Sequence, residues 1–466
     1  MKFQIENLGV IRYAEIELGN MTVICGMNNF GKTYIAYAIY GFMHFWETAY
    51  NIRIEKEIIN KLKDSGVHNL ALNGFAFKAS DIINDACIEY TKCLPSVFSS
   101  QKIKFENVVF KIKLLPNDIV IENRELSIGI SSSNAKTRLT FYKEANKDEL
   151  TITLFSENNE AEEIPDFIIA QTISDVVKSI VFKCIFPSTF IASAERTGAA
   201  IYRRELNFAR NKILEAISKK DAEIDPFILI KKGKADYAWP VKHDVDFVRS
   251  LESVSKSESD LYVMHKDVIA SFKDILGGDY QVTDKDELYF TPANKLNRKI
   301  QLTMDESSSS VRALLDIGFF IKHVAENGDL LMIDEPELNL HPSNQRKIAR
   351  LLSSLINCDL KVFITTHSDY ILRELSNLVL LNGNSSRFSA IIDNEGYKRS
   401  ELISSADIRI YNAEDDNIIL PDKQRKTKVK TLVPVPVDSE RGILASCYDD
   451  TINDMNRITD EILFGG

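Results

Sequence analysis

Gly26-Met27-Asn28-Asn29-Phe30-Gly31-Lys32-Thr33 has the form G-x-x-x-x-G-K-[ST] and lies between an apolar segment, Met21 to Cys25, and a helix-forming one, Thr33 to about Phe45. Strand, loop and helix in that order make the pattern a phosphate-binding loop, the P-loop. The glycines let successive N–H groups turn inward, so the backbone of Gly26, Asn28, Asn29, Phe30 and Gly31 can cradle phosphate oxygens. The helix N-terminus adds its partial positive charge. Lys32 is placed to reach the β- and γ-phosphates of ATP, and the Thr33 hydroxyl to ligate Mg²⁺. The expected fold class is therefore α/β, a P-loop NTPase.

Far downstream, Leu330-Leu331-Met332-Ile333 is a continuous apolar run that ends in Asp334-Glu335-Pro336. Such a run reads as a buried parallel strand, and α/β sheets bind ligands at the carboxyl ends of their strands. Asp334 fits the carboxylate that a divalent ion needs. Glu335 fits the base that an attacking water needs. A further strand, Leu360 to Thr366, ends at His367, which is placed to reach a γ-phosphate and the water. Upstream of the acidic strand, Ser307-Ser308-Ser309-Ser310 opens an apolar helix. A hydroxyl-rich helix start suits an anion, although a plain serine cap has the same signature.

The 466 residues, 44% hydrophobic and 27% charged, indicate a globular protein of two or three structural units. No apolar run is long enough for a transmembrane helix. Met1 to Glu6 has no apolar signal region, so a cytoplasmic protein with no membrane partner is expected. The six cysteines form no C-x-x-C pair, and most read as small core residues. A net charge of −10 excludes whole-surface binding of nucleic acid and leaves only local basic patches. The densest is Lys423, Arg425, Lys426, Lys428 and Lys430; Arg203, Arg204 and Arg210 form a weaker one.

Along the chain, 1–50 reads as the N-terminal lobe of the ATPase core, opening with a β-hairpin that turns at Gly9. Residues 51–164 read as a mixed insertion. A charged helix (Ile52 to Asp64) precedes period-two segments at Val108 to Leu114, Leu126 to Ile130, Leu139 to Phe141 and Leu150 to Leu154, which suggest antiparallel strands. Residues 165–198 return to the core, 199–275 read as an elongated helical insertion offering an oligomer or partner surface, 276–400 as core again, and 401–466 as a small C-terminal unit.

The motifs occur in one order: P-loop, serine-rich helix start, Asp-Glu strand end, His after a strand. That order resembles the ABC-type ATPases of the SMC and RecF kind, and most closely the OLD-like ATPases of bacterial anti-phage systems. The residues carrying it are Gly26 to Thr33, Ala194-Glu195-Arg196, Ser307 to Arg312, Asp334-Glu335-Pro336-Glu337-Leu338-Asn339-Leu340-His341-Pro342 and Thr366-His367-Ser368. The resemblance implies an ABC-type head with a mixed sheet, a β-rich insertion and a helical insertion. It implies that two heads form a homodimer or larger homo-oligomer around two ATP molecules. Ser308, Ser309 or Ser310 of one head would then contact the γ-phosphate held by the other, with Asn339 crossing the interface. The usual signature glycines and the glutamine that helps to hold Mg²⁺ are not identifiable; Glu195 and Arg196 sit near where a substitute would lie.

The tail lacks the strand-glutamate and Asp-x-Asp arrangement of the OLD nuclease unit. It resembles the C-terminal region of stand-alone ATPase subunits of the Septu and PARIS systems, in which a separate effector protein acts. Three functions compete: an ATPase that controls such an effector, a DNA-repair or DNA-clamping ATPase with nucleic acid as its partner, and a slowly hydrolysing ATP-bound scaffold.

Overall fold

The computed structural model describes the chain except residues 116–117, 132–136, 157–163, 204–236, 284–286, 294–299, 384–385, 422, 445–448 and 465–466. The chain divides into two compact units. One comprises residues 1–4, 42–92 and 110–188, the other 5–41, 93–109 and 189–466.

The larger unit is built on a mixed sheet. Its strands are β1 (Lys2–Leu8, of which Ile5 to Leu8 belong here), β2 (Ile11–Glu17), β3 (Met21–Gly26), β9 (Thr189–Ala192), β13 (Leu330–Asp334), β14 (Lys361–Thr365), β15 (Ile408–Ile419) and β16 (Lys426–Val435). They lie in the order β1-β2-β16-β15-β3-β14-β13-β9. β15, β3, β14, β13 and β9 are parallel to one another, while β16 is antiparallel to β15. β3 and β13 are buried along their whole length, which is why both read as near-continuous apolar runs rather than alternating ones. Between β9 and β13 a three-stranded antiparallel sheet forms from β10 (Gly278–Val282), β11 (Leu288–Pro292) and β12 (Leu302–Thr303).

The helices of this unit bury the apolar faces that their periodicity marks. The P-loop helix α1 (Lys32–Thr48) begins here and contributes its first ten residues. Of the helical insertion expected at 199–275, residues 204–236 lie outside the described residues, and residues 239–276 form four short helices. Among them are α5 (Trp239–Arg249) and α6 (Lys266–Leu276), with Val245, Val248, Leu251, Leu261, Val268 and Phe272 in the core. The serine-led helix α7 (Ser309–Ala313) runs on through Leu314 into α8 (Leu315–His323). After the acidic strand come α9 (Pro342–Ile356) and α10 (Asp369–Leu381). Buried Glu374 on α10 accepts from Arg346 Nε at 2.7 Å and Arg350 Nε at 2.5 Å on α9, fixing the pair.

One expectation fails. Residues 401–466 do not form a small separate unit: β15 and β16 enter the central sheet, with Ile408 to Ala413 paired in parallel with Met21 to Gly26. β15 and β16 pair with each other as an antiparallel hairpin, Ile410 to Ile419 against Val435 to Lys426. Only their edge pairing reveals that they complete the P-loop sheet.

The smaller unit holds α2 (Lys56–Ser65), α3 (Ala79–Val97, up to Lys92) and α4 (Asp166–Val177). It also holds the antiparallel sheet β4-β8-β7-β6, formed by Val67–Ala71, Glu149–Ser156, Thr137–Lys143 and Leu126–Ser131. The strand Val109–Lys113 is β5. Three of the period-two segments expected in this region therefore pair antiparallel, and a fourth strand, Val67–Ala71, joins them. Its core is aromatic: Phe42 lies 5.4 Å from Phe110 and Trp46 4.6 Å from Phe186, ring centre to ring centre. Buried Lys178 donates to the carbonyls of Trp46 (3.1 Å), Glu47 (3.3 Å) and Tyr50 (3.0 Å), satisfying groups that the end of α1 leaves open.

Gly26 joins β3 to the P-loop with φ +122°, and a Cβ there would stand 2.6 Å from the Ala413 carbonyl of β15. Gly26→Ala should therefore cost about 2–3 kcal/mol of stability, read as a lowered midpoint in urea denaturation. An unchanged midpoint would show that β3 and β15 separate without cost.

Candidate nucleotide-binding site

The site gathers at the carboxyl ends of β3, β13 and β14. Asn28 and Asn29 are exposed, Phe30 is half-buried and Gly31 and Lys32 are buried. Asn29 takes φ +66° and Gly31 φ +89°, and a Cβ on Gly31 would meet Ile11 at 2.7 Å. These left-handed positions turn the loop around a concavity, which asparagine and glycine tolerate best. Lys32 Nζ donates to the carbonyls of Gly26 (2.8 Å) and Met27 (3.0 Å). Burial lowers the Lys32 pKa; Glu335, Asp334 and Glu337 oppose that shift. An ammonium held inside the loop, beside three carboxylates, is poised for phosphate.

Thr33 Oγ1 stands 3.4 Å from Asp334 Oδ1, the contact that unites the two distant motifs. The Thr365 hydroxyl of β14 donates to the same oxygen. Asp334 Oδ2 is buried and has no hydrogen-bond partner among the described residues. A hydroxyl beside a carboxylate with one open lone pair is a donor set that suits Mg²⁺, so Thr33 and Asp334 could hold that ion.

Glu335 is half-buried and adopts φ +54°, a left-handed conformation rare for its residue type and worth on the order of 1–3 kcal/mol of strain. Its N–H donates to Thr365 O at 3.1 Å. His367 is exposed, with Nδ1 3.5 Å from Glu335 Oε1 and 3.4 Å from Glu337 Oε1. Glu337 also accepts from Thr366 Oγ1 and the His367 N–H, both at 2.8 Å. Glu337 thus ties the Asp-Glu turn to the histidine turn. Its sequence signal was membership of the acidic motif, without a role of its own.

Ser308 caps α7, accepting from Val311 N at 3.4 Å, and its hydroxyl lies 2.8 Å from that of Ser310. Ser308 and Ser309 are exposed and Ser310 half-buried. The side-chain hydrogen bonds of Ser308 and Ser310 stay within that turn, which is the geometry of a helix cap. Asn339 is likewise exposed, with φ +59°.

Glu195 accepts from Tyr37 Oη at 2.8 Å, which holds its carboxylate beside α1. Arg196 is fully buried. Its Nη1 and Nη2 donate to the carbonyls of Asp334 (2.8 Å) and Glu335 (2.9 Å). Residue type alone gave Arg196 no role; the contacts give it one.

Of the weaker basic cluster only Arg203 falls among the described residues. Arg203 is buried and donates to Val248 O at 2.8 Å, and Arg204 and Arg210 lie outside the described residues. Lys430 of the other lies 4.4 Å from the Phe30 ring centre and donates to Asn29 O at 3.2 Å, bracing the P-loop. Lys423, Arg425, Lys426 and Lys428 are exposed.

Residues 1–372 match the AAA ATPase domain family. The chain belongs to that family. No curated protein matches it. Solved structures that align with it include the SMC head domain from Thermotoga maritima, at 10% identity over 94% of this chain and 98% of that one, with a TM-score of 0.31. An SmcHead bound to the C-winged helix domain of ScpA aligns at 8% identity, over 92% and 97%, with a TM-score of 0.33. A Pyrococcus furiosus Smc head with an extended coiled coil aligns at 11% identity, over 98% of each chain, with a TM-score of 0.31. Among the described residues, no helix is long and apolar enough to cross a membrane.

Burial raises the Asp334 pKa from its ordinary 3.8 to about 6; the Thr365 and Thr33 hydroxyls pull it down, and Glu335 and Glu195 push it up. The folded value exceeds the unfolded one, so the nucleotide-free protein holds extra protons between the two. Its stability should fall as pH rises through that window and level off above it. Asp334→Asn removes the effect and should stabilise the nucleotide-free protein by about 1–3 kcal/mol near neutral pH, with the gain shrinking towards pH ~4. Melting temperatures against pH check this; a gain equal at every pH would trace to packing rather than ionisation.

Proposed function

We propose that this chain is an ABC-type ATPase head that pairs with a second copy around ATP and Mg²⁺, hydrolyses the ATP, and controls a separate effector in bacterial anti-phage defence. The observation that carries the ATPase reading is the meeting of Thr33 Oγ1 and Asp334 Oδ1 at the mouth of the P-loop, with Glu335 as the next residue. Membership of the AAA ATPase domain family supports it. The pairing and the defence role rest on the resemblance of the Asp334 to Pro342 run to OLD-like ATPases.

Mg²⁺, held by Thr33 and Asp334, would supply charge neutralisation across the β- and γ-phosphates. The chain's own groups do the rest. Lys32 leaves the Gly26 and Met27 carbonyls and turns to the γ-phosphate, exchanging two neutral acceptors for an anion. Glu335 takes the proton of the attacking water. His367 stands beside Glu335 and is held there by Glu337, so it orients the water or the γ-phosphate. Ser308 and Ser309, exposed on each head, and half-buried Ser310 serve the nucleotide of the partner copy, and Asn339 lies in the loop between the copies.

A second reading, a DNA-clamping ATPase, draws on the exposed Lys423, Arg425, Lys426 and Lys428. DNA affinity that falls steeply with salt, and falls again when these four are replaced by Gln, would favour it over effector control.

Lys32→Ala should abolish ATP binding in calorimetry, because it removes the main phosphate charge. Affinity equal to the parent's would refute the P-loop assignment. Glu335→Gln should bind ATP, lose turnover by at least about a hundredfold, and elute as a larger species when ATP is present. Elution unchanged by ATP would exclude the paired heads.

The serines allow a separate test. Ser308→Glu, Ser309→Glu and Ser310→Glu together should leave ATP binding to one head intact and stop turnover. Mixing that variant with Lys32→Ala should restore part of the activity, through one composite site per pair. Full turnover by the serine variant alone would reduce these serines to a helix cap.

A further inference from the structure

Arg196 is 1% exposed, and its guanidinium joins three segments of the larger unit. Nε donates to Ala313 O at 2.7 Å, at the end of α7. Nη1 donates to Ser193 O at 2.7 Å and to Asp334 O at 2.8 Å, and Nη2 to Glu335 O at 2.9 Å. Four main-chain carbonyls on one buried cation is a demanding arrangement. It needs a planar group with donors fixed in a fork, which arginine has and lysine lacks.

Two buried acids share the same core with the guanidinium. Asp244 on α5 and Asp316 on α8 are buried, and both act electrostatically on Arg196. Asp244 accepts from the Ser193 N–H at 3.1 Å and from the Ser193 hydroxyl, which fixes the turn that presents Arg196. A cation held only to fill space would not require this second layer of order.

The placement of the four carbonyls matters more than their number. Ala313 closes the helix that begins at Ser309. Asp334 and Glu335 carry the two carboxylates, and Glu335 sits in a left-handed conformation that its neighbours must hold. One side chain therefore fixes the serine helix and the strained acidic turn to each other.

We propose that Arg196 is a positioning residue that couples the two nucleotide sites of a pair of heads. This rests on the paired-head reading above, in which the serines of one head serve the nucleotide of its partner while Glu335 serves its own. A displacement of Glu335 by bound ATP reaches Ala313 through one rigid guanidinium and re-aims the serines that face the partner's nucleotide. The reciprocal holds as well: a γ-phosphate engaged by the serines steadies the Glu335 of the same head.

The test uses Arg196→Lys and Arg196→Gln in the full chain, with melts to confirm folding. The expected result is a kcat lowered at least about tenfold while the Kd for ATP stays within about threefold of the parent. In the Glu335→Gln background the same substitutions should abolish ATP-driven association. Amide hydrogen exchange without nucleotide should show peptides covering 309–314 and 335–340 losing protection together. Parent-like kcat and association, or exchange that rises only around 193–198, would overturn the proposal and leave Arg196 as a buried plug.

Should neither variant fold, exchange on the parent, diluted until it is monomeric, decides the matter. ATP must alter protection at 309–314 in a single head; no change overturns the coupling. A parent that neither binds nor hydrolyses ATP would defeat the ATPase reading itself. The nucleotide-free exchange of the variants would still decide whether Arg196 links the two segments.

Discussion

The pairing of β3 on both edges is the constraint on which the site depends. β14 flanks it on one side and β15 on the other, each in parallel register from Met21 onward. A P-loop can aim its amides at phosphate only if the strand before it cannot twist away. Here that strand is buried at every residue, and Gly26 is pressed against the Ala413 carbonyl. Lys430, one strand further out, grips Asn29 and covers Phe30. The phosphate cradle is thus shaped by the last hundred residues as much as by the first forty.

Placing the carboxyl ends of β3, β13 and β14 together concentrates negative charge in a half-desolvated space. Asp334, Glu335 and Glu337 come from one turn, and each is handled differently. Asp334 is buried against two threonine hydroxyls and keeps one oxygen open. Glu337 is buried and used as a strut for the His367 turn. Glu335 alone reaches towards solvent, from a backbone conformation that the surrounding hydrogen bonds enforce. A side chain that can meet water, on a main chain that is not free to move, is the arrangement that the proposed proton transfer requires.

The large buried cations follow a common logic. Lys178 closes the carbonyls at the end of α1, and Arg196 gathers carbonyls from three segments. In each case a charge out of water is tolerated because several main-chain acceptors surround it. Such residues are quiet in a sequence: an Arg after an Ala-Glu pair looks like any strand end, and its four partners come from positions 193, 313, 334 and 335.

The sequence by itself determined what local physics determines. Period-two alternation located three of the four strands of the antiparallel sheet, largely apolar runs located β3, β13 and β14, and glycine with lysine at fixed spacing marked the candidate phosphate loop. Asp334, Glu335 and His367 could be singled out as candidates because each follows or ends a buried strand, and the structure places them at the carboxyl ends of β13 and β14. The long helix Ala79–Val97 was not read, since its apolar residues are interrupted by charges and Pro95 sits in its last turn. Tertiary structure alone decided that β15 and β16 belong to the P-loop sheet, that Glu337 is a strut, that Lys430 serves the loop rather than standing free in a basic run, and that Arg196 joins the serine helix to the acidic turn. The reason is the same in each case. Periodicity shows that a strand has a buried face, and residue type shows that a side chain can donate or accept, but neither says which distant edge or carbonyl will be the partner. That choice is made only when the chain closes its core.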